Sequence, residues 1–170
     1  MRFSIDKMNQ FRPQIDDPHE IPNDKGVYLI SIGSLKLLPD NMQNLKYSKI
    51  GERYILYVGL SSQGIKSRDY RNHFNGTARI STLRKSLGSI LQLQKEVLDD
   101  KGRYRYTKED EEYLTEWMKK NLRLHYQVCE DIEIIEKELI HGLNPPLNLK
   151  DNHNIENSAF RKLLKIWRNK

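Results

Sequence analysis

Glu136 is the residue whose position asks most of its surroundings. If the segment from about Asp131 to Gly142 is a helix, Ile132, Ile135, Leu139 and Leu143 fall on one stripe, and Glu136 lies within that stripe. A carboxylate aimed at an apolar interior is costly unless a cation, an ion pair or a bound metal compensates it. Glu133 and Glu138 project away from the stripe and read as solvated surface. Two tyrosines stand beside glycines, in Gly26-Val27-Tyr28 and Tyr57-Val58-Gly59. Strand tyrosines usually serve packing, but these are followed by a segment holding Arg68 and His73, then by Glu136, then by Pro145 and Asn148. Phenol, imidazole, guanidinium and carboxylate are together able to move a proton, bind an anion and hold a cation.

The elements that must position these groups can be read from periodicity. Residues 26–32 (GVYLISI) and 54–60 (YILYVGL) are β-branched and aromatic on both alternate faces, which predicts strands covered on both sides. Residues 64–74 turn helical and basic. Leu83, Leu87, Ile90 and Leu91 predict a second helix over 81–93. Residues 99–106 read as a loop, and Thr107 caps a helix running to about Asn121. Leu122 to Val128 reads as a third strand. The following helix stops at Gly142, and Asn144-Pro145-Pro146 forces an extended exit. A short basic helix closes the chain over 157–168, with Leu163, Leu164 and Trp167 available for docking. The proline-bearing first 25 residues read as an irregular lead-in that covers one sheet edge.

In its order of motifs the chain resembles the GIY-YIG nuclease family. GVY precedes YVG, a basic helix follows with Arg68 and His73, and Glu136 is followed by Leu139-Ile140, Pro145 and Asn148 at offsets of 3, 4, 9 and 12. The resemblance covers residues 26–149 as a catalytic domain and implies an α+β fold: a three-stranded, mainly antiparallel sheet flanked by helices. Residues 1–25 then form the lead-in and 150–170 the tail. There are two departures from the family pattern. First, 28 residues lie between Tyr28 and Tyr57, so an insertion occupies about 33–53. Second, His73 lies five residues after Arg68, one more than the family's usual spacing, which leaves Arg71 as a substitute for Arg68. A local bulge in the helix would absorb that residue.

The resemblance implies an endonuclease that hydrolyses DNA phosphodiester bonds. Glu136 would hold one magnesium ion, with manganese as its substitute, and Arg68 would contact the scissile phosphate. Tyr28 would act as general base with His73 as its helper, Tyr57 would donate to the phosphate or orient the water, and Asn148 would fix the local geometry. Lys66, Arg71, Arg79, Arg84 and Lys85 are the expected DNA contacts, and Arg161, Lys162, Lys165, Arg168 and Lys170 could add to them. The alternative is a catalytically weak or inactive module of the same fold that binds DNA or organises an assembly.

Composition sets the outer bounds. With 29 Lys and Arg against 23 Asp and Glu, the net charge of +6 favours polyanionic partners. A mean hydropathy of -0.77 and the lack of a long apolar run predict a cytoplasmic protein with no membrane partner. Cys129 is the single cysteine, so no internal disulfide forms and a thiolate zinc cage is not expected; it reads as a buried strand residue. A double-strand cut from one centre would need two protomers or sequential nicking, which puts a homodimer among the expected assemblies. Restriction or defence, and repair, are the expected settings. No recognition sequence follows from the chain.

Overall fold

In the computed structural model, residues 3–170 are described, apart from the side chain of Arg68. The centre is β2 (Gly26–Ile32), every residue of which is buried. It pairs antiparallel with β4 (Arg53–Ser61) on one side and β7 (Leu122–Val128) on the other. These are the three strands expected from sequence. Two short strands extend the sheet to five: β1 (Asn9–Phe11) joins β7, and β3 (Lys49–Ile50) joins β4. The lead-in therefore covers a sheet edge as expected, but through strand pairing rather than irregular chain. The insertion contributes β3 and the single-turn α1 (Asp40–Gln43).

Both faces of β2 are apolar because helices cover both. Val27, Leu29, Ile55 and Val58 pack against Ile132, Leu139 and Ile140 of α4 (Ile132–Leu143). On the opposite face Tyr28, Ile30, Ile32 and Leu56 meet the helix Ile65–Phe74, α2 (Thr82–Ile90), α3 (Lys108–Asn121) and α5 (Ser158–Asn169). Partner register shifts between Ile30 and Ser31, which face Tyr57 and Ile55 respectively and leave Leu56 as an extra residue. A bulge of this kind sets two neighbouring side chains on one face. Leu56 fills the core while Tyr57 stays on the side of Tyr28.

Several boundaries differ from expectation. Residues 99–106 are no plain loop: Tyr104–Tyr106 form β6, which pairs with β5 (Lys95–Val97) in a separate hairpin. The alternation is only three residues long, too short to stand out as periodic. Helix α4 passes Gly142 and ends at Leu143, where Asn144 takes the left-handed conformation at φ 48° and returns its N–H to Ile140 O. Asparagine can replace glycine at this position because its short polar side chain tolerates positive φ. Cys129 lies just past β7 and is half-buried, not a strand-core residue.

Arg84 corrects a functional expectation. It is fully buried, its Nη2 lies 2.6 Å from Glu111 Oε2, and its Nη1 donates to His73 O at 3.1 Å. It sits on the inner side of α2 and cannot present itself to a DNA phosphate. Removing one partner of such a pair leaves an uncompensated buried charge. Glu111→Ala is therefore expected to cost about 3–5 kcal/mol, measured by urea unfolding. A loss within 0.5 kcal/mol, roughly that of a surface change, would show that Arg84 does not need its acid.

A second buried group fixes the base of the sheet. Arg53 donates to Ser31 Oγ and to the carbonyl of Asn121, and His125 shares Ser31 Oγ at 2.7 Å. Burial, with Arg53 and Arg123 nearby, pushes the His125 imidazole down to about 4. The unfolded chain then takes up a proton below its ordinary value near 6.5 while the folded chain does not. Stability present above pH 6.5 is expected to fall by roughly 3 kcal/mol by about pH 4. Denaturant titrations across that range check this, and His125→Gln should flatten the decline.

Candidate active site

The outer edge of β4 is where the predicted residues meet. β2 pairs along its length, but β3 pairs only with Arg53 and Tyr54. Farther along, the chain after α4 closes onto β4: Leu147 N–H donates to Leu56 O. The Asn148 side chain accepts from Val58 N–H and donates to Val58 O, both at 2.8 Å. That buried amide clamps the strand at the residue between Tyr57 and Gly59.

Gly59 faces Tyr28 across the sheet. A Cβ at Gly59 would lie 2.3 Å from Cζ and from the hydroxyl oxygen of Tyr28, so the phenol crosses the strand only because no side chain is there. Gly26 is equally constrained, its would-be Cβ falling 2.3 Å from Gln127 O. The glycines of the two motifs are thus steric requirements of close backbone approach.

Tyr28, Tyr57 and His73 form a triangle of rings with centroids 5.5–6.1 Å apart. Tyr28 Oη lies 2.6 Å from His73 Nε2, and His73 Nδ1 lies 2.7 Å from Ser81 Oγ. Ser81 also caps α2, accepting from Arg84 N–H at 3.1 Å. With Arg84 Nη1 on His73 O, the imidazole is held at its ring and at its backbone. His73 and Ser81 are nearly fully buried, so this chain of hydrogen bonds is shielded from competing water.

The segment carrying His73, Ile65–Phe74, is a π-helix. Its hydrogen bonds run to the fifth residue, as a π-bulge does at many functional sites. Positions 68 and 73 therefore stand one turn apart on the backbone, as residues four apart would in an α-helix. The extra residue between Arg68 and His73 is absorbed in this way. The Arg68 side chain lies outside the described residues. Arg71 is exposed and is not among the described residues that line the cleft.

Glu136 enters from the other face of the sheet. It is half-buried and joins Tyr28, Tyr57, His73 and Asn148 in the lining of one cleft of about 360 Å³. The apolar stripe thus points Glu136 past the sheet edge, not into the core. Burial chiefly raises the Glu136 carboxyl, the nearby Asp151 raises it further, and the Lys150 charge and the Leu60 backbone N–H oppose the shift. The Tyr57 phenol is raised, first by burial and, against the hydrogen bond it shares with Thr82, by the Glu136 charge, which keeps it a proton donor.

Two of the lining and supporting groups are not evident from sequence. Ser81 could have been found as an N-cap hydroxyl had the helix start been placed one residue later. Asp151, exposed and left-handed at φ 60°, lies past the last residue of the motif and carries no signal. Among the expected phosphate contacts, Lys66 is half-buried and does not line this cleft, while Arg79 and Lys85 line a neighbouring one. Arg161 is buried, with Nη1 on Asn144 Oδ1 and on Glu156 O, and so braces the turn after α4. That contradicts its expected role as a tail charge.

The donor set suits a hard cation. Glu136 and Asp151 offer carboxylate oxygens in a cleft with room for several waters, which is the environment magnesium prefers. Among the described residues no group of three or more His, Cys, Asp and Glu gathers as a zinc-like cage. In comparisons with known proteins, residues 26–170 match the GIY-YIG catalytic domain, a span that includes α5. No curated protein and no solved structure matches the chain.

Gly59→Ala tests the steric account. It is expected to fold with Tyr28 displaced and its hydrogen bond to His73 broken, visible in the imidazole ¹⁵N resonances, at a cost of about 1–3 kcal/mol. Unchanged imidazole resonances would refute the account.

Proposed function

The chain belongs to the GIY-YIG family of nucleases, and on that premise we propose that it is a metal-dependent endonuclease hydrolysing phosphodiester bonds in DNA. The observation that carries the reading is the shared cleft. A carboxylate from α4, two phenols from β2 and β4 and an imidazole from the π-helix face one volume across the β4 edge.

Glu136 would hold the cation, with Asp151 beside it. A bound magnesium would supply charge neutralisation at the phosphoryl and leaving oxygens. The protein's own residues provide the proton path. With the Nδ1 proton of His73 donated to Ser81, Nε2 is free to accept from the Tyr28 hydroxyl. Tyr28 can then take a proton from an attacking water while passing its own to His73. Tyr57, kept protonated, donates to a phosphate oxygen. Arg68, one π turn before His73, is the residue assigned to the scissile phosphate, where a guanidinium stabilises developing charge.

In a regular α-helix the extra residue between Arg68 and His73 would favour a non-catalytic binding module. In a π-helix it does not, which supports the catalytic reading. We place this activity in restriction, defence or repair.

Plasmid nicking with and without magnesium tests the proposal. Glu136→Ala should abolish cleavage while duplex affinity stays within a few-fold. Tyr28→Phe should lower the rate by about 10²–10⁴, and Ser81→Ala should shift the pH profile with a smaller loss. Full activity in Glu136→Ala would remove that residue from the mechanism.

A further inference from the structure

Beside the catalytic cleft lies a second one, of about 750 Å³, lined by Arg79, Lys85, Lys101, Arg103, Tyr104 and Arg168 among others. The two share a wall. Ile80 and Thr82 face the catalytic side while Arg79 and Lys85 face the other, so the segment from 79 to 85 separates them.

The second cleft is a built feature. Its far wall is the β5–β6 hairpin, seated on α2 by Tyr106, which is almost fully buried. A Cβ at Gly88 would lie 2.3 Å from the Tyr106 ring, so the hairpin packs directly on helix backbone. The Tyr106 hydroxyl donates to Lys85 O at 2.9 Å. Lys95 of β5 reaches across to the carbonyls of Trp167 and Lys170, which ties the hairpin to the end of α5. The hairpin, α2 and the distant end of α5 are thereby fixed around one hollow.

The charge of that hollow is unbalanced. Asp99 contributes an acid to the lining, but it already pairs with Arg103. No carboxylate among the described residues forms an ion pair with Arg79, Lys85, Lys101 or Arg168. Lys85 stands 5.9 Å from the centre of the Tyr104 ring, a weak support that leaves its ammonium able to meet an anion. Concentrating unpaired cations on a rigid frame is unfavourable for the free protein and favours a ligand carrying several negative charges at fixed spacing.

We infer that this second cleft, walled by the β5–β6 hairpin and the end of α5, binds the phosphate backbone of duplex DNA flanking the bond cut in the neighbouring cleft. The inference rests on the nuclease reading for what occupies the adjoining site. It adds Lys101 and Arg168 to Arg79 and Lys85 as one phosphate-binding surface. Each phosphate held there adds about 0.9 to the slope of log affinity against log salt.

The test is binding of a fluorescein-labelled 30-base-pair duplex in EDTA, where no turnover occurs, across a salt series. Lys85→Ala/Lys101→Ala/Arg168→Ala is expected to lower the slope by about 2–3 units and to weaken binding about 10- to 100-fold at 150 mM salt. Hydrolysis of bis(p-nitrophenyl) phosphate, which has no flanking backbone, should be unchanged. Should the triple variant fold poorly, Lys101→Glu/Arg168→Glu carries the test, with the same direction expected. Unchanged affinity and slope in a normally folded variant would overturn the inference. So would an equal loss on the small diester, or competition by polyglutamate as effective as that by DNA. A wild-type protein that binds the duplex through this cleft but never cleaves it would overturn the nuclease reading and leave the phosphate-binding surface standing.

Discussion

The ring of Tyr28 occupies the space that any side chain at position 59 would need, and the arrangement of the cleft at the β4 edge follows from that contact. Because the phenol lies across β4, its hydroxyl reaches the strand's outer edge instead of ending in the core between sheet and helices. At that edge it meets groups that could not otherwise be neighbours. His73 comes from the helical layer on one face of the sheet, and Glu136 comes from α4 on the other. A sheet normally insulates its two faces, and an edge with a missing side chain is the place where they communicate.

Buried polar contacts hold these groups still. Ser81 accepts from the first turn of α2 and bonds His73 with the same oxygen. Arg84 ties that site to the scaffold, linking His73 O to Glu111 on α3. Asn148 performs the equivalent task for β4, substituting a side-chain amide for the missing strand partner at Val58. Each of these groups is satisfied at nearly every polar atom, so each fixes orientation at little desolvation cost. Rigid support of this kind matters because proton transfer and phosphate contact depend on placements of a fraction of an ångström.

Much of this was legible from residue types and spacing, and the failures have physical reasons. The three central strands were readable because both faces are apolar, and Glu136 stood out because one carboxylate interrupts an otherwise apolar stripe. The direction of that stripe was not readable: a helix that lies along a sheet edge has a boundary between core and cleft, and periodicity cannot tell the two apart. Arg84 and Lys85 look alike in sequence, yet one is sealed against Glu111 and the other lines the second cleft, because only the fold says which side of α2 faces α3. The hairpin leaves no periodic signal because its strands are three residues each, and it is seated by Tyr106 against Gly88, a long-range contact. The spacing anomaly at His73 was visible, but whether it displaced the histidine depended on backbone hydrogen bonding. A π-helix answers that without any change of residue type.

The same hairpin bears on how the proposed site could hold a polymer. A single cleft of about 360 Å³ would meet only a short stretch of a polyanion, and affinity for such a ligand grows with the number of phosphates neutralised. Placing a second, rigid and cationic hollow directly across the wall formed by 79–85 lengthens the contact without lengthening the chain much. Because phosphate contacts position a duplex but carry no sequence information, such a design would raise affinity before it raised selectivity. A substrate able to bring its backbone into both hollows at once would gain most from such a design, and the shape and deformability of nucleic acid would then enter its selection.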